Sequence, residues 1–402
     1  MLTLHGPQGP RRGSQLNDLG IISDGALLVR DGVVQQVGTS RRVENLAEAR
    51  DALEINAAGR VVMPGFVDSH THLLFPAPGT PEPEFVHAAR LVHTSSLKRL
   101  IAKTRVHLEA LARHGTTTVE IKTGCSGDQA AEIKLLRVLE ALRSEPVDVI
   151  STFLFSLSHE TASSGERIHE RIDSCYTAFL PKVAKRRLAQ FAEVEFDGDE
   201  ARHPLFEACL ETAARAGLGV KVHSPGNGAG VAAALAEKRD VVSLGHGEQA
   251  SSQECASLAA FRGIVTLIPS SNLRDGGSFR ARDLIDGGTA IGLASNFHPR
   301  YNPTLNMQTV VALACLQWGL TPAEGISAAT INGAYAAGCA ARAGSIDVGK
   351  TADLLILNLS DYRELASHIG TNLVHLTMKR GAFIYKEGNV APLAASDLHA
   401  VW

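Results

Sequence analysis

The chain has 402 residues, 45% of them hydrophobic, with 39 basic against 42 acidic side chains and a formal charge of −3. That length suits one large barrel or two to three smaller domains, and the near-neutral charge gives no electrostatic reason to expect nucleic acid or an anionic membrane as a partner. Arg11-Arg12 is followed by no apolar run, no stretch reaches membrane-spanning length, and the six cysteines are scattered without a Cys-x-x-Cys spacing. A secretory leader, a membrane anchor and a disulfide or cysteine-zinc framework are therefore not expected, and a reducing, cytoplasmic setting is.

Residues 25–38 read GALLVRDGVVQQVG, two β-rich runs around Asp31-Gly32, which predicts a type I′ hairpin. Residues 45–53 are expected to be helical, and 54–63 to return as a strand toward Pro64-Gly65. Past Pro64, short apolar runs alternate with long stretches at helical period, the βα pattern of a parallel sheet. The runs are 66–68, 117–121, 149–155, 192–196, 219–222, 241–244, 264–268 and 290–294. Helices are predicted over 97–113, 129–142, 180–191, 204–216, 228–237, 252–261 and 281–287. Eight βα units in roughly 230 residues predict an α/β fold of the (β/α)8, TIM-like type. A doubly wound sheet would need a glycine-rich phosphate loop after its first strand, and none is present. Two further helical stretches fall in 299–338, and strands return at 354–359, 375–379 and 382–385. Sheet at both ends predicts that 1–63 and 345–402 pair into a small β-sandwich, with the barrel of 64–344 inserted in it.

Alternate residues of a strand share a face, so His70 and His72 point the same way and are able to hold one cation. Barrels of this type carry their chemistry at the C-terminal strand ends. There the sequence offers Lys122 after the second strand, His223 after the fifth, His246 after the sixth and Asn296 after the eighth. Ser156, Ser158 and His159 follow the third, Asp197 the fourth and Ser270 the seventh. His70, His72 and His223 converging would suit zinc or ferrous iron with a position open to water; the alternative is hydrogen-bonded structural histidines. His246 is an outer ligand or a donor to water or a substrate carbonyl. Lys122 is either a carboxylated ligand or the partner of a carboxylate, and Cys125 is a small hydrophobe unless an imidazole lies beside it. Lys122, Cys125, His159 and Asp197 are the candidates for the substrate side. A metal hydrolase also needs a base that passes a proton from water to the leaving nitrogen. The amide of Asn296 can coordinate through oxygen but lacks basicity, which leaves His246, Asp197, His159 and Glu248 for that task.

Phe66 to His72 after Pro64-Gly65, GTTTVEIKTG at 115–124, His223, PTLNM at 303–307, ATINGAYAAG at 329–338, GSIDVGKTADLLIL at 344–357 and DYREL at 361–365 together resemble the imidazolonepropionase branch of the amidohydrolase superfamily. The resemblance spans nearly the whole chain. It implies a mononuclear zinc or iron site and hydrolytic opening of a C–N bond in a cyclic amide or amidine. It further implies that His70, His72 and His223 are metal ligands and that His246 contacts the bound water or substrate. The family places an aspartate, both ligand and proton shuttle, where Asn296 stands. Its substrate-binding arginine would fall in 75–81, here FPAPGTP; its tyrosine is Cys125, and the acid three positions after His223 is Gly226. These departures predict a changed substrate, such as another cyclic amide, an amidine or a modified peptide. The competing readings are a weakly active or inactive barrel that works by binding a ligand, and an aspartate-to-asparagine variant of an active enzyme that traps its complex. A homodimer is expected from base rates alone.

Overall fold

Strands buried on both faces need a filled lumen on one side and helices on the other, and the eight apolar runs are housed that way. The structure, a computed structural model, describes residues 1–75, 84–124, 128–155, 174–224, 226, 228–271 and 279–388. A hairpin of β1 (Gly25–Arg30) and β2 (Val33–Thr39) comes first, then β3 (Val61–Pro64). The barrel strands are β4 (Phe66–Asp68), β5 (Thr116–Lys122), β6 (Asp148–Phe155), β7 (Phe191–Glu195), β8 (Gly219–His223), β9 (Val241–Gly245), β10 (Ile264–Leu267) and β11 (Ile291–Leu293). Each is parallel to the next in chain order. All eight lie within a residue of the predicted ends. Beyond β4 and β11 the ring is drawn shut by backbone bonds: Asn296 N–H donates to His70 O at 3.0 Å and His72 N–H to Phe297 O at 2.7 Å.

The helices follow from caps and apolar stripes. Leu97–Arg113 begins where Ser96 accepts from Arg99 N–H, and its Leu108, Leu111 and Ala112 turn inward. Gln129–Ala141 is capped by Asp128. Three expectations need correction. The helix predicted to reach residue 191 ends at Lys185, because Arg187 turns left-handed at φ 52° and Phe191 opens β7. Residues 45–53 hold only a 3-10 turn, Ala47–Ala49, after the short helix Ser40–Glu44; almost every side chain there is exposed, so no apolar face exists to anchor a helix. The region 299–338 holds three helices, Met307–Trp318, Pro322–Ala329 and Ile331–Ala336, because Thr330 leaves helical geometry at φ −124°, ψ −89°.

The chain ends meet in sheet. β12 (Leu354–Leu357) lies antiparallel between β3 and β13 (Val374–Lys379), and β14 (Ala382–Lys386) follows β13. Asp31 and Gly32 both have positive φ, at 53° and 76°, as a type I′ turn requires, and Arg380-Gly381 repeats the device at 47° and 75°. The hairpin sheet and the four-stranded sheet share a core of Val34, Ile346, Leu354, Ile356 and Leu376. Lys379 fastens this layer to the barrel floor through Asp353 at 2.7 Å and Asp148 at 2.9 Å. Among the described residues no helix is long and apolar enough to cross a membrane.

Candidate metal centre

The site is built on the seam between the first and last barrel strands. Asp68 ends β4, and its buried carboxylate accepts Ser295 N–H at 3.0 Å and Ser295 Oγ–H at 2.5 Å. Burial pushes the carboxyl up to about 6, opposed by those two bonds. Two residues on, His70 enters the mouth of the barrel, followed by His72. Ring centroids lie 5.3 Å apart for His70 and His72, 5.1 Å for His70 and His223, 5.2 Å for His70 and His246, and 4.7 Å for His223 and His246. The four imidazoles named from the sequence therefore form one cluster. Its tightest trio is not the expected one: one nitrogen from each of His70, His223 and His246 lies within 4.8 Å of the others. His72 stands at the edge, 5.5 Å from His223 and edge-on to Phe75 at 5.0 Å.

Burial, then the charge of Lys122, hold His70 and His72 well below the ordinary imidazole range, so both are neutral near pH 7, the form that ligates metals. His70 Nε2, His72 Nδ1 and Asn296 Oδ1 are buried without a hydrogen-bond partner. Orphaned polar atoms are rare in folded interiors; two of these belong to the imidazole cluster and the third to Asn296, whose N–H bonds His70 O, and the donor set suits a cation. Asn296 adopts φ 49°, a left-handed conformation that asparagine tolerates.

His246 is placed with more strain. Its φ is 66°, which costs an ordinary side chain about 1–2 kcal/mol, and its neighbours explain how the chain fits. A Cβ on Gly245 would lie 2.8 Å from the His70 ring, and one on Gly247 would lie 2.2 Å from Val265. Glu248 Oε1 stands 3.1 Å from His246 Nδ1, while Glu248 Oε2 accepts Ile268 N–H at 3.0 Å. Glu248, a candidate base in the sequence, is thus occupied in bracing His246.

Beneath the imidazoles lies a charged layer. Lys122 Nζ is 3.2 Å from Glu120 and 2.6 Å from Glu193, and Lys221 Nζ is 2.9 Å from Glu120. Two cations and two anions neutralise one another there, all four fully or almost fully buried. Lys122, expected on the substrate side, is sealed in this layer between two carboxylates. Asp197 stands on the rim, bound by Arg202 at 2.5 Å and by Asp199 N–H at 3.2 Å. Cys125 and His159, with Ser156 and Ser158, lie outside the described residues. Sequence reasoning missed His298, whose ring is 5.9 Å from His72 and 4.9 Å from Phe75. Its signal was the spacing of two from position 296. Burial, then Arg300, lower its pKa to about 4.

With this geometry established, comparison places it among known proteins. The profile of the Amidohydrolase family matches residues 61–384. Imidazolonepropionase of Symbiobacterium thermophilum is 35% identical over 407 residues, covering 95% of each chain. That of Parabacteroides distasonis is 34% identical over 406 residues, covering 95% of this chain and 96% of its own. Among solved structures, guanine deaminase of E. coli superposes with a TM-score of 0.69 at 16% identity, over 96% of this chain and 97% of that one. A zinc-bound adenosine deaminase from Xanthomonas campestris gives 0.66 at 20% identity, over 94% and 92%. These last two are likenesses of fold.

Proposed function

The chain belongs to the amidohydrolase family and is a metal-dependent hydrolase of carbon–nitrogen bonds, and on that premise we propose that it opens the ring of a small cyclic amide or amidine of the imidazolone kind. One zinc or ferrous ion would be held by His70, His72 and His223, with Asn296 Oδ1 alongside. Residues 64–344 would form the catalytic barrel, and 1–63 with 345–402 its supporting β domain. The observation that carries this reading is the set of orphaned buried atoms, His70 Nε2, His72 Nδ1 and Asn296 Oδ1, at the C-terminal end of the strands. Bound there, the cation supplies Lewis acidity toward water and a carbonyl oxygen.

The chain's own residues do the rest. The neutral imidazoles keep their lone pairs inward, the Lys122 layer closes the floor against water, and His72, Phe75 and His298 wall one side. The sequence differences at 75–81, Cys125 and Gly226 support a substrate other than imidazolonepropionate itself. Asn296 takes up no proton, and that one fact favours a second reading, a slow or silent enzyme that binds its ligand. Elemental analysis of the protein and of Asn296→Asp, with both assayed on imidazolonepropionate and a panel of cyclic amides, separates the two. Turnover of any panel member by the asparagine form supports the first reading. Metal in both forms with turnover only in Asn296→Asp supports the second, and absence of metal from both defeats the hydrolase reading for this chain.

A further inference from the structure

Several of the buried charges around the imidazole cluster have identified partners. Glu120 and Glu193 are matched by Lys122 and Lys221, and Asp68 is taken up by Ser295 at the strand seam. Asn296, whose N–H bonds His70 O, has a buried amide oxygen and brings no charge. Glu193 approaches His223 Nδ1 only to 3.9 Å, with Lys122 at 2.6 Å on the same oxygen. Glu248 differs from all of these. Its side chain is fully buried, it touches an imidazole of the cluster directly, and among the described residues no lysine or arginine pairs with it. Its other contacts are neutral donors, Ile268 N–H at 3.0 Å and Ser271 Oγ–H at 3.2 Å.

A carboxylate only accepts, so the nitrogen facing it, His246 Nδ1, carries the ring proton and Nε2 keeps its lone pair. His246 belongs to the tight trio with His70 and His223, and the chain accepts a left-handed residue to put it there. Resting on the metal reading above, we infer that His246 Nε2 is itself a ligand of the cation, and that Glu248 is the positioning residue behind it, supplying through the ring the negative charge absent at Asn296. Histidine ligands characteristically donate their second N–H to a carboxylate, and removing that acceptor costs on the order of 10- to 100-fold in metal affinity.

The test is zinc affinity by chelator competition and the visible spectrum of the Co2+ protein, for wild type, Glu248→Gln, Asn296→Asp and the double variant. Glu248→Gln should bind zinc about 10- to 100-fold more weakly with an unaltered circular dichroism spectrum. In the Asn296→Asp background the same change should cost markedly less, because the new aspartate supplies the charge. A merely structural glutamate would cost the same in both backgrounds, and that result overturns the inference, as does full affinity in Glu248→Gln. Should Glu248→Gln fail to fold, His246→Gln carries the test: an unchanged Co2+ spectrum overturns it, and a shifted one supports it. A wild type that binds zinc while Glu248→Gln matches it removes this inference alone; a wild type that binds neither ion removes the metal reading as well.

Discussion

A methyl group on residue 245 would sit 2.8 Å from His70 Cε1 and 3.0 Å from its Nδ1. Carbon atoms rest about 3.5–4.0 Å apart, so Gly245→Ala demands a relief of roughly 0.7 Å or more. The backbone at 245 lies outside the left-handed region, so the effect is steric. β9 has little freedom to retreat, being paired in register with His223 on one side and Thr266 on the other. His70 is equally hemmed, with the rings of His72, His223 and His246 at 5.1–5.3 Å. Overpacking of this kind costs about 1–3 kcal/mol, drawn from stability or from metal affinity, where each 1.4 kcal/mol is about tenfold. Turnover should suffer further, since a misplacement near 1 Å costs on the order of 100-fold. Urea unfolding and zinc competition on the same preparation measure the two shares. If both the unfolding midpoint and the zinc affinity of Gly245→Ala equal those of wild type, His70 does not pack where described and the site geometry is refuted.

Two further outcomes concern the barrel around the site. Lys122→Met leaves Glu120 and Glu193 buried with half their compensation, and urea unfolding should show a loss of about 3–5 kcal/mol, the typical cost of breaking a buried pair; a loss below 1 kcal/mol would mean the layer is hydrated. His107 packs against Phe297, and burial, then Lys103, lower its pKa to about 4 from an ordinary value near 6.5. Its neutral form therefore stabilises the fold in full above pH 6.5, and that contribution fades as pH falls toward 4. Wild type should lose about 3 kcal/mol more than His107→Gln between pH 7 and pH 4, a difference readable from urea midpoints at the two pH values.

The barrel strands were legible because each is a short run with an apolar or β-branched outer face, bounded by helix or turn residues, even where β5, β7 and β8 carry charge on the other face, and the parity of His70 and His72 already put both rings on one side. Contacts across the barrel were not legible. Nothing in the spacing of Gly245 and His70 announces that one makes room for the other, and Glu248 read as a free acid because its tie to His246 depends on a left-handed turn. Lys122 falls at a strand end like the histidines, yet its long side chain drops to Glu193, which only the β5 to β7 arrangement reveals. Asp197 has the right address for a base and is captured by Arg202 five residues later. Phe191 continued a helical pattern, but the pairing of β7 with β6 and β8 outweighed local preference.

The seam that joins Asp68 to Ser295, 227 residues apart in the chain, has a bearing on synthesis. On the ribosome His70 and His72 emerge long before the segment that closes the ring over them. Until residues 295–297 arrive, His70 and His72 belong to an open sheet edge whose backbone groups are still exposed to water. The centre is thus among the last parts of the barrel to exist. A chain stalled or cut before that segment has histidines but no pocket, so a correctly formed site certifies that the whole barrel has been made and closed.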